Sequence, residues 1–422
     1  MFTGCKHFEI GVCGVSFLYE VGYCFALTVA FLALPFSRKI RRGIWGRVGL
    51  LKRIKRQCIS QSEKTLWFHV ASSGEFEQCL PVLEAVKRKA PTAYLFLSFF
   101  SPTAYDAISL EAERRRKAGV PCPWDYADYS PFDLSFSVTR FLKQLKPTHF
   151  VAIHREIWPT LLRRCRRHNV KTHLFSSYFP PQKQKKLPFY LKRWLTLFDY
   201  IGTVDTHGDP RIDRVIQRKA MRKSVPPWRH FFENQEIFVL ASLWKKDFVV
   251  ISPALANLLQ SSISPRLLIA PHEPSETFVR YLSEWFKKSG IPARRWSHWL
   301  YGPDTTSHLI IDKVGELAEL YSLASFAFVG GSFRARVHNV LEPAVYGKPI
   351  LVGPHIQNSA EAVELSHIRS GLICVNDRSE FLCEARALLE DGETRRKHSE
   401  SLIHYINNKA GASEKYATVL LE

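Results

Sequence analysis

The sequence predicts an α/β protein in which two parallel-sheet domains follow an N-terminal membrane-anchor helix. The first observation is that short apolar strands alternate with helices along most of the chain, a pattern typical of a parallel sheet with covering helices. The second is the length of 422 residues, which suffices for two such domains. The third is a long apolar segment near the N-terminus. We expect an anchor with a basic flank over residues 1–43, an N-terminal domain over 44–207 and a C-terminal domain over 208–422.

The composition indicates an anionic partner and a reducing compartment. The chain has 59 Lys and Arg against 39 Asp and Glu, so its formal net charge is +20. Such a charge favours nucleic acid, anionic lipid or a phosphorylated substrate as partner. A hydrophobic content of 46% argues against general disorder. The nine cysteines include no C-x-x-C pair and are odd in number, which argues against a zinc site of the usual spacing and against a disulfide framework.

The N-terminal segment favours a membrane among these anionic partners. Residues 10–36 are nearly all apolar, with Glu20 the only charged residue, and the segment is long enough to cross a bilayer. Nine Lys and Arg follow between Arg38 and Arg56, which predicts a cytoplasmic flank that binds an anionic leaflet. A cleaved signal peptide fits poorly, because the basic block follows the apolar run. A shallow interfacial helix starting near Phe17 stays open beside a spanning one. A nucleic-acid partner is disfavoured, because no motif for one is present.

The N-terminal domain is expected to alternate strands and helices from Thr65 onward. A strand at 65–70 leads through a Ser-Ser-Gly turn into a helix, and the same strand-to-helix step recurs later. The expected strands are 65–70, 94–99, 149–153 and 170–176, and the expected helices are 76–89, 107–117, 131–145 and 158–168. Two successive domains of this Rossmann-like kind bind ligands at the carboxyl ends of their strands.

The C-terminal domain is expected to repeat this alternation and to end in a glycine-rich unit. Its expected strands are 237–241, 266–270 and 309–311, and its expected helices are 247–259 and 276–289. A strand then ends at Gly330-Gly331, and a helix is predicted from His338-Asn339. Free amides, a helix N-terminus and the carboxylate of Glu342 would suit the phosphate and ribose of a nucleotide. An ordinary tight turn stays open, because two glycines are a weak phosphate signal.

Several polar residues follow the predicted strands, and each has a structural and a functional interpretation. Glu75 is either a first-turn partner of the helix dipole or a general base facing the cleft between the domains. Glu156 makes either a structural hydrogen bond or a substrate contact. His272-Glu273 is a loop pair or a cleft pair. Asp312, with Glu316 four residues later, either caps a helix or approaches the nucleotide.

Nine segments, taken in order from about Leu18 to Leu365, resemble one family. These are the membrane-bound transferases that add 3-deoxy-D-manno-oct-2-ulosonic acid (Kdo) to a lipid A precursor. The segments are FHVASSGEFEQCLPVLEAV, SPTAYD, YSPFDLSFSVTRFLKQLKPTHFV, REIWPTLL, GDPRIDRV, ASLWKKD, APHEPSE, IIDKVGELAELY and VGGSFRARVHNVLEPAVYGKPILVGP. Each segment alone is weak evidence for the family, but the number of segments and their order make the resemblance specific.

The resemblance implies a GT-B glycosyltransferase, with two Rossmann-like domains facing a cleft, that inverts the anomeric carbon without a metal or other cofactor. It implies CMP-Kdo on the C-terminal domain, a lipid A precursor on the N-terminal domain, and a role in lipopolysaccharide biosynthesis at the cytoplasmic face of the inner membrane. Glu75 matches the catalytic base. The residues expected to bind substrate are Ser73, Gly74, Thr103, Glu156, His272 and Glu273. Those expected to bind the nucleotide are Asp312, Glu316, Gly330, Gly331, Ser332, His338, Asn339 and Glu342.

The chain departs from the family pattern at a few positions. His154 stands where many members carry an acid, Leu243 stands where a small hydroxyl residue is common, and the loop 334–337 is bulkier and more basic than usual. Two other functions therefore stay open. One is a GT-B transferase that uses a uridine or guanosine sugar. The other is a non-catalytic homologue that binds anionic lipid and would tolerate loss of Glu75.

Overall fold

The protein consists of two compact units, each built on a parallel β-sheet. The computed structural model describes residues 8–57, 64–178, 187–221, 227–232, 235–315 and 317–422. One unit comprises residues 1–214 together with 411–422, and the other comprises residues 215–410. The sequence had suggested a change of domain between residues 207 and 208 and had assigned the whole C-terminus to the second domain. In the structure the last twelve residues belong to the first unit.

The first unit has a six-stranded sheet in the order β3-β2-β1-β4-β5-β6, and every strand pair is parallel. The strands are β1 (Thr65–Val70), β2 (Tyr94–Phe99), β3 (Tyr126–Tyr129), β4 (His149–Ile153), β5 (Lys171–Ser177) and β6 (Tyr200–Thr203). The four central strands are almost continuously buried, as expected for a parallel sheet covered on both faces.

Helices of the first unit lie before, between and after these strands. They are α1 (Phe8–Leu32), α2 (Arg38–Trp45), α3 (Leu50–Gln57), α4 (Ser73–Lys89), α5 (Pro102–Ala118), α6 (Ser135–Leu145), α7 (Pro159–Arg167), α8 (Phe189–Leu195) and α9 (Val204–His207). Helix α10 (Pro210–Ala220) begins in the first unit and continues into the second, because the division between the units falls after Arg214. Among the described residues, no helix combines the length and the apolar character that crossing a membrane requires.

Strand β1 divides the apolar core of the first unit into two layers, because successive side chains of a strand point to opposite faces. Leu66, Phe68 and Val70 pack with α4 and α5 in one cluster. Trp67 packs in the other cluster, where its ring lies 4.7 Å from that of Phe150. Both layers are fully buried and fix the position of the turn that follows β1.

The second unit has a seven-stranded sheet in the order β13-β12-β11-β7-β8-β10-β9, again with every pair parallel. The strands are β7 (Ile237–Leu243), β8 (Arg266–Pro271), β9 (Ala293–Arg295), β10 (His308–Ile310), β11 (Phe326–Val329), β12 (Ile350–Val352) and β13 (Leu372–Cys374). Two parallel-sheet α/β units are therefore confirmed.

Helices accompany the second sheet, and the last helix of the chain belongs to the first unit. Those of the second unit are α11 (Lys245–Leu259), α12 (Glu276–Lys288), α13 (Trp296–Trp299), α14 (Leu317–Leu323), α15 (Leu341–Val345), α16 (Ala360–His367), α17 (Arg378–Glu390) and α18 (Gly392–Lys409), with a 3-10 helix at Pro227–Phe232. The final helix is α19 (Ala412–Leu421), which packs on α4. The helix predicted from His338-Asn339 begins only at Leu341, because the preceding segment forms a loop.

Candidate active site

Glu75 lies where strand β1 passes into helix α4. Its backbone N–H donates to the Ser72 hydroxyl at 3.4 Å, and its Oε2 accepts from the Ala71 and Ser72 amides at 2.5 and 3.2 Å. These contacts form a capping box, so this carboxylate has a structural role in the first turn of α4 beyond the dipole interaction expected from the sequence. Both backbone amides bind Oε2, and no donor among the described residues contacts Oε1. Glu75 can therefore be held in place through one oxygen and react through the other.

The electrostatic surroundings of Glu75 suit a group that exchanges a proton near neutral pH. Burial, followed by the negative charge of Glu156, raises the pKa of Glu75 to about 7, and the two amides and Arg155 oppose that rise. A base is most effective when its pKa lies near the working pH. Perturbed carboxylates of this kind concentrate at functional sites. Glu75 is therefore both a helix cap and a candidate base.

Glu156 lies after strand β4 at the same carboxyl edge of the sheet. Its Oε2 accepts from the indole Nε1 of Trp158 at 2.8 Å and lies 3.6 Å from Nε2 of His69. His69 is a buried residue of β1 whose Nδ1 lies 2.8 Å from the Ser98 hydroxyl. The structural interpretation of Glu156 therefore holds, and its charge also acts on Glu75. Sequence reasoning missed His69, because within the apolar strand TLWFHV it has the pattern of an ordinary core residue.

Backbone strain marks the same edge. His154 follows β4 and has a φ of +62°, and Ser176 lies one residue before the end of the neighbouring β5 and has a φ of +55°. Non-glycine residues rarely adopt this region. The His154 Nδ1 lies 3.4 Å from the Ser176 carbonyl, and Arg155 Nε donates to His154 Nε2 at 3.2 Å. Burial lowers the pKa of His154. The position at which many family members carry an acid thus holds a neutral ring that accepts a hydrogen bond from the neighbouring arginine.

The remaining predicted residues of this unit are exposed at the starts of two helices. Ser73 and Gly74 form the first turn of α4, and Thr103 lies in the first turn of α5 beside its cap Ser101, with 2.8 Å between the two hydroxyl oxygens. Both helices follow the adjacent parallel strands β1 and β2. The structure therefore brings these residues to the same edge as Glu75 and Glu156.

In the second unit the glycine turn is closed by a buried carboxylate, and this corrects the prediction that Gly330 and Gly331 offer free amides. Gly331 N–H donates to Asp247 at 2.8 Å, and Gly330 N–H donates to the Ala241 carbonyl at 2.8 Å. Asp247 also accepts from the amides of Phe333 and Trp244 at 3.1 Å each. Gly331 has a φ of +92°, and a Cβ there would lie 2.3 Å from the Arg336 carbonyl oxygen. The glycines serve tight packing, and their amides are already occupied.

Other predicted nucleotide residues also have structural partners. The Ser332 hydroxyl accepts from Gly353 N–H at 2.6 Å, Asn339 accepts from Leu341 N–H at 3.0 Å, and Glu342 lies 3.3 Å from Arg218. The carboxylate of Asp312 accepts from the amide and hydroxyl of Ser297 at the start of α13. The capping interpretation of Asp312 is therefore correct, whereas Glu316 lies outside the described residues.

A cluster of three rings and a guanidinium lies at the carboxyl ends of β7, β8 and β11. Trp244 Nε1 donates to His338 Nε2 at 2.7 Å, and the His272 ring stacks on both, with centroids 4.7 and 4.1 Å away. The Arg334 guanidinium lies 4.1 Å from the Trp244 centroid. Burial lowers the pKa of His338 to about 4, and His272 and two arginines contribute to the fall. His338 is thus neutral at pH 7 and belongs to this cluster.

A cavity of about 410 Å³ adjoins the ring cluster. It is lined by Trp244, the predicted Glu273, the cations Lys245 and Arg280, and Tyr281 among others. Lys245 Nζ lies 4.7 Å from the Tyr281 ring centroid. Aromatic surface beside cations suits a base and a phosphate. In the described part of the chain, no group of three or more His, Cys, Asp and Glu side chains could hold a metal ion.

Comparison with known proteins shows which proteins this chain resembles. Residues 42–223 match the family model described as 3-Deoxy-D-manno-octulosonic-acid transferase (kdotransferase). A 3-deoxy-D-manno-octulosonic acid transferase of Aquifex aeolicus is 25% identical over 81% of this chain and 90% of its own length. One of Chlamydophila psittaci is 22% identical over 95% and 94%. A glycosyltransferase structure from Rickettsia africae matches with a TM-score of 0.54 and 12% identity over 85% and 97% of the two chains, which supports the fold.

The resemblance that the nine ordered motifs indicated is therefore confirmed: residues 42–223 match the Kdo transferase family model, and relatives named as Kdo transferases align with most of the chain. The matched segment 42–223 contains both Glu75 and Glu156.

Proposed function

We propose that this protein transfers Kdo from CMP-Kdo to a hydroxyl group of a lipid A precursor, with inversion at the anomeric carbon. The observation that carries the proposal is Glu75, a carboxylate anchored through one oxygen, with its pKa raised to about 7, in the family's Ser-x-Gly-Glu position. An acceptor hydroxyl is a weak nucleophile and needs a base of this kind for in-line attack. The relatives named as 3-deoxy-D-manno-octulosonic acid transferases support the choice of sugar.

In the proposed reaction the acceptor oxygen attacks the anomeric carbon from the face opposite the phosphate. The new carbon–oxygen bond forms while the bond to the phosphate oxygen breaks, and CMP leaves with the bonding electrons. The acceptor proton moves to Oε1 of Glu75 and later to solvent. Oε2 keeps its two amide bonds throughout, so the base need not reorganise during the step.

The second unit is proposed to hold the donor through side chains and not through the glycine amides, which have partners already. The Arg334 guanidinium and the Lys245 ammonium lie beside aromatic rings and would stabilise the negative charge that develops on the phosphate. Neutral His338 accepts at Nε2, so its Nδ1 carries the hydrogen and serves as an uncharged donor.

We also propose that α1 lies in the interface of the inner membrane, at its cytoplasmic face. Tyr19 and Tyr23 meet the rings of Trp194 and Trp158 edge-on, and Glu20 accepts from the Ser135 hydroxyl at 2.5 Å, so one face of α1 is attached to the first unit. Large apolar side chains with helical spacing are exposed along the same segment: Leu18, Val21, Phe25, Val29, Leu32 and Phe36. An apolar face followed by a basic block is typical of a helix that lies on an anionic bilayer.

A transfer assay tests the proposed reaction. Purified protein is incubated with CMP-Kdo and a lipid A precursor, and mass spectrometry counts the sugars in the product. We expect one or more Kdo units in the lipid product when CMP-Kdo is the donor. We expect no added sugar when a UDP-sugar or a GDP-sugar replaces CMP-Kdo. Glu75→Gln protein is the matched control. Transfer from a UDP-sugar or GDP-sugar alone would support the other GT-B function, and lipid binding without transfer would support a non-catalytic homologue.

Vesicle flotation tests the proposed membrane site. A variant without residues 1–36 keeps the basic block from Arg38 to Arg56. We expect it to bind anionic vesicles at low salt and to be released at high salt, because each Lys or Arg near the surface contributes about 1 kcal/mol that salt screens. The full chain should stay bound at high salt through its apolar face. If the truncated protein does not bind anionic vesicles at low salt, the basic block does not have the role proposed for it.

A further inference from the structure

A polar cavity of about 470 Å³ lies at the amino ends of β7, β8 and β10 in the second unit. Its lining includes the exposed residues Ser262, Ser264 and Thr305 and the buried residues Arg266 and His308, which begin β8 and β10. The strands of this sheet are parallel, so their amino ends lie at the edge opposite the ring cluster. The cavity is therefore separate from the place proposed for the donor.

Arg266 is a buried cation that keeps unused hydrogen-bond donors. The residue is 5% exposed, and its Nε, Nη1 and Nη2 donate to the carbonyls of Ser307, Phe231 and Asp304 at 3.0, 3.0 and 2.8 Å. A guanidinium has five N–H groups, so two of them have no acceptor in the described part of the chain. Burial lowers the pKa of Arg266, and the charge of Asp304 opposes that fall without forming an ion pair with the guanidinium.

His308, on the neighbouring strand, offers another unused donor. Its Nδ1 accepts from the Leu267 N–H at 3.0 Å, and a backbone amide can only donate, so Nδ1 carries the lone pair. Burial, followed by the charge of Arg266, lowers the pKa of His308 to about 4, so the ring is neutral at pH 7 and carries its hydrogen on Nε2. Among the described residues no acceptor meets this N–H, although the residue is only 7% exposed. A buried donor without an acceptor is unfavourable.

The charges around the cavity favour an anion. Glu236 lines the cavity, and its carboxylate pairs with Arg395 at 2.7 Å. The carboxylate of Asp304 pairs with Arg294 at 3.3 Å. Both carboxylates therefore have cationic partners of their own, and Arg266 is left as a third guanidinium that has no paired carboxylate among the described residues.

We propose that this cavity binds the oxyanion group of a small molecule, a phosphate or a carboxylate, which accepts hydrogen bonds from Arg266 and from Nε2 of His308. The unused groups are all donors, and an oxyanion offers only acceptors, which a guanidinium binds in matching geometry. A volume of about 470 Å³ lies in the range of small-molecule sites, so the rest of the ligand can contact the serine and threonine hydroxyls. This binding site goes beyond the proposed transfer and does not depend on it.

An NMR titration of the full chain tests the site. Sodium phosphate replaces sodium chloride at constant ionic strength and pH 7, and a parallel titration uses sodium acetate. We expect the ring signals of His308 to shift and to reach saturation, and the anion that saturates the shift identifies the group as phosphate or carboxylate. His308→Asn identifies the signals by their loss. It keeps an acceptor oxygen for the Leu267 N–H but lacks the Nε2–H, so phosphate affinity should fall about five- to tenfold. If neither anion gives a saturable shift, the proposal is overturned.

A charge at the rim of the cavity gives a second test, which stays available if His308→Asn does not fold. Ser264→Asp adds a carboxylate at an exposed lining position, and we expect anion affinity to fall about three- to fivefold at low ionic strength, because like charges repel and salt screens them. The matched control is Ser379→Asp, an exposed position ten residues, or about 15 Å of helix, from the lining residue Leu389 of α17. It should leave the affinity unchanged. Calorimetry with phosphate measures both variants, and equal affinity in wild type and Ser264→Asp would show that the anion does not enter this cavity.

Discussion

The two units place their polar residues at the same edge of similar sheets, but they hold them in different ways. In the first unit the carboxyl edge carries Glu75 and Glu156, and burial together with the charge of Glu156 raises the pKa of Glu75. In the second unit the buried carboxylate of Asp247 is bound by three amides, and rings and cations occupy the edge. In the proposed function the first edge exchanges a proton and the second binds an anion.

This difference shows how one type of sheet supports two parts of a transfer reaction. Parallel strands direct their carboxyl ends to one edge in both units, so the fold fixes where ligands bind. The chemistry that each edge can support depends on which carboxylate oxygens already accept hydrogen bonds. Asp247 accepts from three amides and holds a turn, whereas Glu75 accepts from two amides through a single oxygen and keeps the other oxygen for a proton.

The largest effect that the comparison predicts is on catalysis. Glu75→Gln keeps the size and the capping hydrogen bonds but cannot accept a proton, so we expect the transfer rate to fall about 10²–10⁴-fold, the range for loss of a general base. Circular dichroism and CMP titration of the second unit should be unchanged. Glu77→Gln, two residues further along α4, is the control for fold and should retain most of the activity. Near-normal turnover in folded Glu75→Gln protein would show that Glu75 is not the catalytic base.

The next largest effect concerns the stability that Asp247 gives to the second unit. Asp247→Ala leaves the amides of Trp244, Gly331 and Phe333 without their acceptor, and we expect a loss of about 3–5 kcal/mol in the free energy of unfolding. Asp247→Asn keeps one acceptor oxygen and should lose less. Urea denaturation followed by fluorescence measures both variants. If Asp247→Ala unfolds at the wild-type urea concentration, Asp247 does not hold the glycine turn, and the contrast with Glu75 fails.

A third effect compares a buried histidine in each unit. Burial lowers the pKa of both His173 and His308 to about 4, below the usual 6.5, so each contributes stability that is present above pH 6.5 and is lost as the pH falls toward 4. His308 Nδ1 accepts from Leu267 N–H at 3.0 Å, whereas neither nitrogen of His173 has a hydrogen-bond partner in the described part of the chain. His308→Phe should therefore cost about 1–3 kcal/mol at pH 7.5, and His173→Phe should cost less.

Thermal unfolding between pH 7.5 and 4.5 measures this contrast. Each Phe variant should lose part of the acid destabilisation of the wild-type protein, because one group that must be protonated against burial is gone. Equal costs at pH 7.5 would mean that the Leu267 hydrogen bond contributes little. An unchanged pH dependence in both variants would show that these two histidines do not control acid unfolding.

The sequence predicted the features that depend on neighbouring residues and missed those that depend on contacts between residues far apart in the chain. Alternation of strands and helices predicted both sheets, but four strands of three or four residues, β3, β6, β9 and β13, escaped notice because such short strands carry little periodicity. Glu75 could be found because its turn and helix start are contiguous in sequence. The contact of Asp247 with Gly331 spans 84 residues, and spacing alone could not show that the glycine amides were occupied.

The smallest effect tests the ring cluster of the second unit. Trp244→Phe keeps an aromatic surface for His272 and Arg334 but removes the indole N–H that donates to His338 Nε2. The His338 ring is then free to move its hydrogen from Nδ1 to Nε2. We expect CMP affinity to fall about fivefold to tenfold, the size of one lost hydrogen bond, with kcat little changed.

Calorimetry with CMP and ¹⁵N NMR spectra of the histidine rings measure this effect. The spectra should show His338 mainly with hydrogen on Nδ1 in wild type and in a mixture of tautomers in Trp244→Phe. Trp285→Phe, on α12, removes an indole whose ring partners are Phe248 and Phe286 and not the cluster, so it should change neither observable. If Trp244→Phe binds CMP as tightly as wild type while its tautomer changes, neutral His338 does not donate to the nucleotide, and anion binding at this edge depends on the cations alone.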